Sequence, residues 1–162
     1  MSLLTIKDRV DLILKWVLVF LMAVITLNVL WQVFTRFIMQ EPSSYTEELA
    51  RYMLIWIGIL GASYVAGQKM HLAIDLLSTK LNNVKKSYLE IGIQSLIFAF
   101  SLFVMVVGGV RLVNITLTSN QISAALQIPL GYVYTVLPIS GAIMMFYSFT
   151  FIIEEIKKLK SA

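Results

Sequence analysis

Residues 45–75 read YTEELARYMLIWIGILGASYVAGQKMHLAID, with Glu47, Glu48 and Arg51 near one end and the chain's single histidine, His71, followed by Asp75 at the other. Two adjacent carboxylates, an arginine one turn on and a distant His–Asp pair have the residue types of a catalytic or metal site. The intervening stretch of about twenty apolar and small residues has the length of a membrane crossing, which makes the same charges its two wet ends. Which reading holds decides the fold.

Composition favours the membrane. Of the 162 residues 59% are hydrophobic and 14% charged, more apolar side chain than a soluble domain of this size can enclose. The apolar residues also fall into long blocks. With no cysteine, the chain has no disulfide, thiol nucleophile, iron–sulfur ligand or zinc thiolate, and one histidine cannot supply paired haem ligands. The net charge of +4 comes from bases beside the apolar runs, so it signals topology and no nucleic-acid surface.

Four runs reach spanning length: Trp16 to about Thr35, Leu49 to Gly67, Ile91 to Val113, and about Ile128 to Ile153. In hydrocarbon the backbone must satisfy itself, and nothing alternates as a barrel strand would, so the expected fold is an all-α integral membrane protein with one four-helix domain over residues 1–162. Ten of the thirteen Lys and Arg residues lie before span one, between spans two and three, or after span four. That bias predicts both termini on the cytoplasmic side. The first run is too long for a signal peptide and no small-residue cleavage site follows it, so it is expected to remain as an anchor. Between spans two and three, Leu72, Leu76, Leu77 and Leu81 recur at helical spacing, with Asp75, Lys80, Lys85 and Lys86 mostly elsewhere. They predict a short amphipathic helix on the cytoplasmic surface; the alternative is that part of the segment prolongs span two or three into water.

Pro42, Ser43 and Ser44 break the chain, and Ser44 followed by Glu47 fits a capping box. Glu47 and Glu48 then sit in a first helical turn, and Arg51 is within reach of either. A self-neutralised helix start is the plainer reading; a contact for a soluble partner is the other. His71 and Asp75 share one helical face, but two ligands are too few for a metal site, and a hydrogen-bonded pair at the helix exit accounts for them. Asn28, Gln32 and Thr35 or Arg36 form a polar stripe in span one, read as glue between helices before a substrate path. Gly58, Ala62 and Ala66, with Gly61 beside them, have small-xxx-small spacing suited to close packing. Gly108–Gly109, Pro138 and Gly141 suggest further close contacts and a local bend. No ionisable residue lies near the centre of any span, where pumps and ion-coupled transporters commonly carry one. The chain reads as scaffold.

Taken together, Arg36, Pro42, Tyr45-Thr46-Glu47-Glu48-Leu49-Ala50-Arg51-Tyr52, Trp56, Gly61-Ala62 and His71-Leu72-Ala73-Ile74-Asp75 resemble the core pattern of the DctQ-like small membrane subunits of tripartite ATP-independent periplasmic (TRAP) transporters. Ser123-Ala124-Ala125-Leu126-Gln127-Ile128-Pro129, Tyr134 and Pro138 form a second match. The sequence departs from the pattern at Tyr45, where the family often has Trp, and at Leu130-Gly131-Tyr132, which replaces a commonly Trp-containing stretch. The resemblance implies a bacterial inner-membrane subunit, not an enzyme and with no cofactor of its own, that braces a large multi-span TRAP subunit. That partner would hold any sodium and import an organic acid delivered by a periplasmic substrate-binding protein. Sialic acid and four-carbon dicarboxylates are both candidate cargo, with sialic acid favoured on general similarity. Partner-interface candidates are Arg36, Glu47, Glu48, Arg51, Trp56, Gly58, Gly61, Ala62, His71, Asp75, Pro129 and Pro138, with membrane lipids around them. The alternatives are a stand-alone four-span transporter, which would need the embedded acid this chain lacks, and a membrane assembly or sensor protein.

Overall fold

The computed structural model describes residues 3–41, 43–68 and 83–161. Pro42, His71, Asp75 and the expected surface helix therefore lie outside the described residues. Helix α1 spans Leu3–Phe37 and α2 spans Ser44–Gly67. Helix α3 (Asn83–Phe100) continues through a π-helical segment, Ser101–Gly108, into α4 (Gly109–Thr118). The short α5 (Leu130–Tyr134) leads into α6 (Val136–Ser161). These make four rods long and apolar enough to cross a membrane: Thr5–Phe37, Ser44–Gly67, Lys85–Thr118 and Leu130–Lys160. The expected all-α architecture is thus present, and each of the four helical rods continues past at least one end of the apolar run that marked it.

Sequence sets the breaks. Helix α1 ends where Gln40 turns left-handed (φ 57°), and the Glu41 N–H reaches back to the Thr35 carbonyl at 3.2 Å. Asn120 does the same for α4 (φ 47°), with Gln121 donating to the Thr116 carbonyl at 3.2 Å. This is a Schellman-type end, in which Asn tolerates the left-handed position. Pro138 lacks an N–H and sits at the third position of α6, where an unpaired donor costs nothing. The helix restarts at Val136 after the α5 turn.

The four rods pack as an open row in the order α1, α2, α6, α3. Helix α6 is the inner member and α1 an edge: 39% of the most apolar stretch of α6's rod is buried within the chain, against 11% for α1. In lipid, helices associate through close packing and interhelical hydrogen bonds more than through hydrophobic burial. Both are visible. A Cβ on Gly67 would come within 2.7 Å of the Tyr147 ring, and one on Gly109 within 2.9 Å of Pro138 Cδ. One on Gly141 would meet Met105 Cβ at 2.7 Å. Between α2 and α6 the Ser63 and Ser140 hydroxyls bond each other, and Ser140 also donates to the Ile59 carbonyl at 3.0 Å. Leu14, Leu60, Val136, Tyr147 and Phe151 form the buried cluster.

The face that α2 gives to α6 is thus the Leu60, Ser63, Gly67 stripe. Gly58 and Gly61, read from the sequence as a packing face, have no atom within 4 Å of where a Cβ would stand, and Ala62 is exposed. Only Ala66 of that set is buried in the chain. At roughly 100° per residue, Gly58 and Ala62 fall on a different side of α2 from the stripe that meets α6.

Candidate functional site

The chain's charges gather at the two ends of the row. At the end where α2 begins, Ser43 is the residue before the helix and Ser44 lies inside it, so the expected Ser44–Glu47 capping box does not form. Instead the Thr46 hydroxyl donates to the Ser43 carbonyl at 2.8 Å, while the Asn28 amide of α1 donates to the Thr46 carbonyl at 2.7 Å. Asn28 is therefore the interhelical glue that the polar stripe implied. Arg36, at the other end of that stripe, is exposed.

Glu47 and Glu48 part company here. Glu47 points outward, 3.7 Å from Arg51, with both side chains about two-thirds exposed (65% and 69%). Such a pair contributes little stability. Glu48 turns inward to the connection between α4 and α5. Its carboxylate accepts backbone N–H groups from Ala124 at 3.2 Å, Ala125 at 2.8 Å and Leu126 at 2.9 Å. The Ser123 hydroxyl at 3.1 Å and the Tyr52 hydroxyl at 2.7 Å complete the set. Successive backbone N–H groups converging on one point form a concave anion site. Here its occupant is the chain's own carboxylate. The connection is shaped for this by a short hairpin: Ser123 N–H donates to the Ile128 carbonyl, and Leu130 N–H to the Gln121 carbonyl, each at 2.9 Å, with Gln127 left-handed (φ 56°). Pro129 closes the hairpin as the residue before α5. Below it the Trp56 indole N–H donates to the Val133 carbonyl at 3.0 Å, tying α2 to α5.

At the opposite end a second carboxylate plays a similar part. Asp11 accepts from Lys7 at 2.9 Å, Gln68 at 3.2 Å and the Tyr147 hydroxyl, joining α1, the exit of α2 and α6. The Lys7 ammonium also lies over the Tyr147 and Phe151 rings, 5.9 and 5.7 Å from their centroids. Glu155, 6% exposed, accepts from Ser87 at 3.1 Å and is bonded by Lys158. Sequence reading missed Asp11, Ser63, Ser140 and Glu155; the i, i+4 pairing of Lys7 with Asp11 and the i, i+3 pairing of Glu155 with Lys158 were the local signals. Among the described residues no three His, Cys, Asp or Glu side chains converge as metal ligands do. The carboxylates described here fasten helices and loops.

The Glu48 cradle joins the two sequence blocks that carried the resemblance, one beginning α2 and the other leading into α5. Residues 25–158 match the family described as "Tripartite ATP-independent periplasmic transporters, DctQ component". The chain belongs to the DctQ family. It is accordingly a small permease subunit of a TRAP transporter, a multi-pass membrane protein and not an enzyme. Similar proteins include the Haemophilus influenzae (strain 86-028NP) "Sialic acid TRAP transporter permease protein SiaT", 27% identical over 115 residues. That match takes in 71% of this chain and 18% of the relative. The Vibrio cholerae "Sialic acid TRAP transporter small permease protein SiaQ" is 30% identical over 81 residues, 50% of this chain and 47% of the relative. A "Putative TRAP transporter small permease protein" of Haemophilus influenzae Rd is 24% identical over 136 residues, covering 84% of this chain and 83% of the relative. The chain thus spans less than half the length of the first two relatives and most of the third. Within this DctQ chain, Glu48, Trp56, Pro129 and Pro138 hold its own elements together, whereas Arg36, Glu47, Arg51, Gly58 and Ala62 are exposed.

Proposed function

We propose that this DctQ-family chain braces a large multi-span TRAP subunit in the bacterial inner membrane, with both its termini cytoplasmic. The large subunit carries the coupling ion, sodium, and imports an organic acid handed over by a periplasmic binding protein. Sialic acid is the preferred cargo and a four-carbon dicarboxylate the alternative, because two relatives carry sialic acid in their names. The observation that supports bracing most directly is the match to 18% of a much longer permease. A segment that matches one part of a much longer permease fits an element that packs on the remainder of such a permease.

The fold agrees with that role. The row is open on both faces, its spans carry no ionisable group at their centres, and polar side chains such as Ser63, Ser140 and Asn28 bond between helices. On this reading Arg36, Glu47 and Arg51 at the Glu48 end face the periplasm, where the binding protein arrives. The test is co-expression with a TRAP large subunit and a TRAP binding protein. Affinity purification of this chain in mild detergent is expected to bring the large subunit with it, and vesicles containing both, supplied outside with the binding protein, are expected to take up labelled sialic acid in an inward sodium gradient. Full uptake by vesicles holding this chain alone, or no co-purification, overturns the proposal; uptake of succinate with no uptake of sialic acid corrects the cargo.

A further inference from the structure

Helix α3 and its continuation form the edge of the row opposite α1, with α6 as their main neighbour. The outer wall of this rod is apolar from Leu96 through Phe100, Phe103, Val104 and Val107, all exposed. At Arg111 it changes. Arg111 and Asn114 are both exposed, one helical turn apart on one face. Among the described residues neither side chain has an ion-pair or hydrogen-bond partner. At the other end of the rod, exposed Lys85, Lys86 and Tyr88 mark the headgroup layer, where Tyr and basic residues favour the interface. From Ile91 to Val110 the helix rises roughly 30 Å, the thickness of the hydrocarbon core, so the Arg111 guanidinium stands at the phosphate level of the other leaflet.

Beneath the two donors lies Gly108. It is exposed, and a Cβ there would meet only the Phe103 carbonyl oxygen at an ordinary 3.6 Å. The packing of this chain therefore requires glycine at 109, against Pro138, but gives no reason for one at 108. Bare backbone at Gly108 leaves a notch in this wall beside the exposed Val104 and Val107. The choice of base fits as well: the three basic residues placed at the Glu48 end, Arg36, Arg51 and Arg111, are all arginine, whereas nine of the other ten bases in the sequence are lysine. Lysine suffices for a topology signal. Arginine's planar fork suits bidentate recognition of phosphate.

We infer that Arg111 and Asn114 bind the phosphate of a single glycerophospholipid whose acyl chain lies in the notch at Gly108. A lipid, and not a helix of another protein, is the occupant because the donors stand where an apolar, bilayer-facing wall reaches headgroup level. The inference does not rest on the transporter reading, and its test needs this chain alone.

The purified full chain, with photo-crosslinking benzoylphenylalanine in place of Val107, is reconstituted in vesicles of palmitoyl-oleoyl phosphatidylglycerol and phosphatidylethanolamine and irradiated. Intact-mass measurement is expected to show one added phospholipid. Arg111→Ala and Gly108→Leu should each reduce the adduct at least about fivefold, and Arg111→Lys, which keeps the charge but loses the fork, at least about twofold. Thermal unfolding of each variant checks its fold, and Arg111→Lys is decisive if the other two fail to fold. Equal adduct yield in wild type and Arg111→Lys overturns the inference. So does capture of a protein in place of a lipid when the same probe is irradiated in native membranes.

Discussion

Replacing Glu48 by glutamine sets an amide NH2 against a cradle made of donors. The wild-type carboxylate offers two oxygens to three backbone N–H groups and two hydroxyls; the amide offers one. The turn at residues 123–126 should loosen while α2 itself remains intact. The chain has no cysteine, so a single Gln127→Cys reports cleanly. Its labelling by a water-soluble maleimide should quicken roughly 3–10-fold in Glu48→Gln and stay unchanged in Glu47→Gln. Equal rates in all three backgrounds would reduce Glu48 to a helix-end charge like its neighbour. Sequence reading placed both acids at the start of α2, where Glu47 lies in the first turn and Glu48 one residue beyond it, because a Pro-Ser-Ser break before an apolar run is a local signal. It could not separate them. Apart from Tyr52 one turn on, the partners of Glu48 lie 75 or more positions away, and only the antiparallel return of the chain brings them back.

Among elements, what the sequence leaves ambiguous is the face and not the helix. Helix α2 offers small residues on two sides, Gly58, Ala62 and Ala66 on one and Ser63 and Gly67 on the other, and spacing alone does not say which side meets a neighbour. The second does: Gly67 lies against the Tyr147 ring, and Ser63 reaches Ser140. Thermal unfolding of the purified chain should separate the two. Gly67→Ala and Gly109→Ala drive a methyl into atoms less than 3 Å away and should destabilise by about 1–3 kcal/mol each. Gly58→Ala meets open space and removes a poor helix former, so stability should hold or rise by up to about 1 kcal/mol. The reverse order would mean that α2 presents its other side to α6. Gly109 with Pro138, by contrast, was legible in advance, because adjacent glycines in one span and a proline–glycine pair in the next mark where two rods can approach.

For the whole molecule, the open row poses a problem that the chain does not solve internally. A closed bundle would hide the glycine side of α2, yet Gly58 and Gly61 stand uncovered midway along the second of four rods. Lipid tolerates this, but glycine at two helical positions with open space beside them weakens the helix for no internal gain. If the large subunit docks on this side, the cost is offset in the complex through close approach of backbones. Gly58→Leu then discriminates. Filling open space, it should leave the unfolding temperature of the isolated chain nearly unchanged while cutting co-purification of the large subunit by roughly tenfold, the effect of losing one tightly packed contact. Arg36→Gln, exposed at the end of the row, serves as the control that leaves assembly intact. Should Gly58→Leu leave both stability and assembly unchanged, the glycine side of α2 faces lipid, and the brace must act through another face of the row.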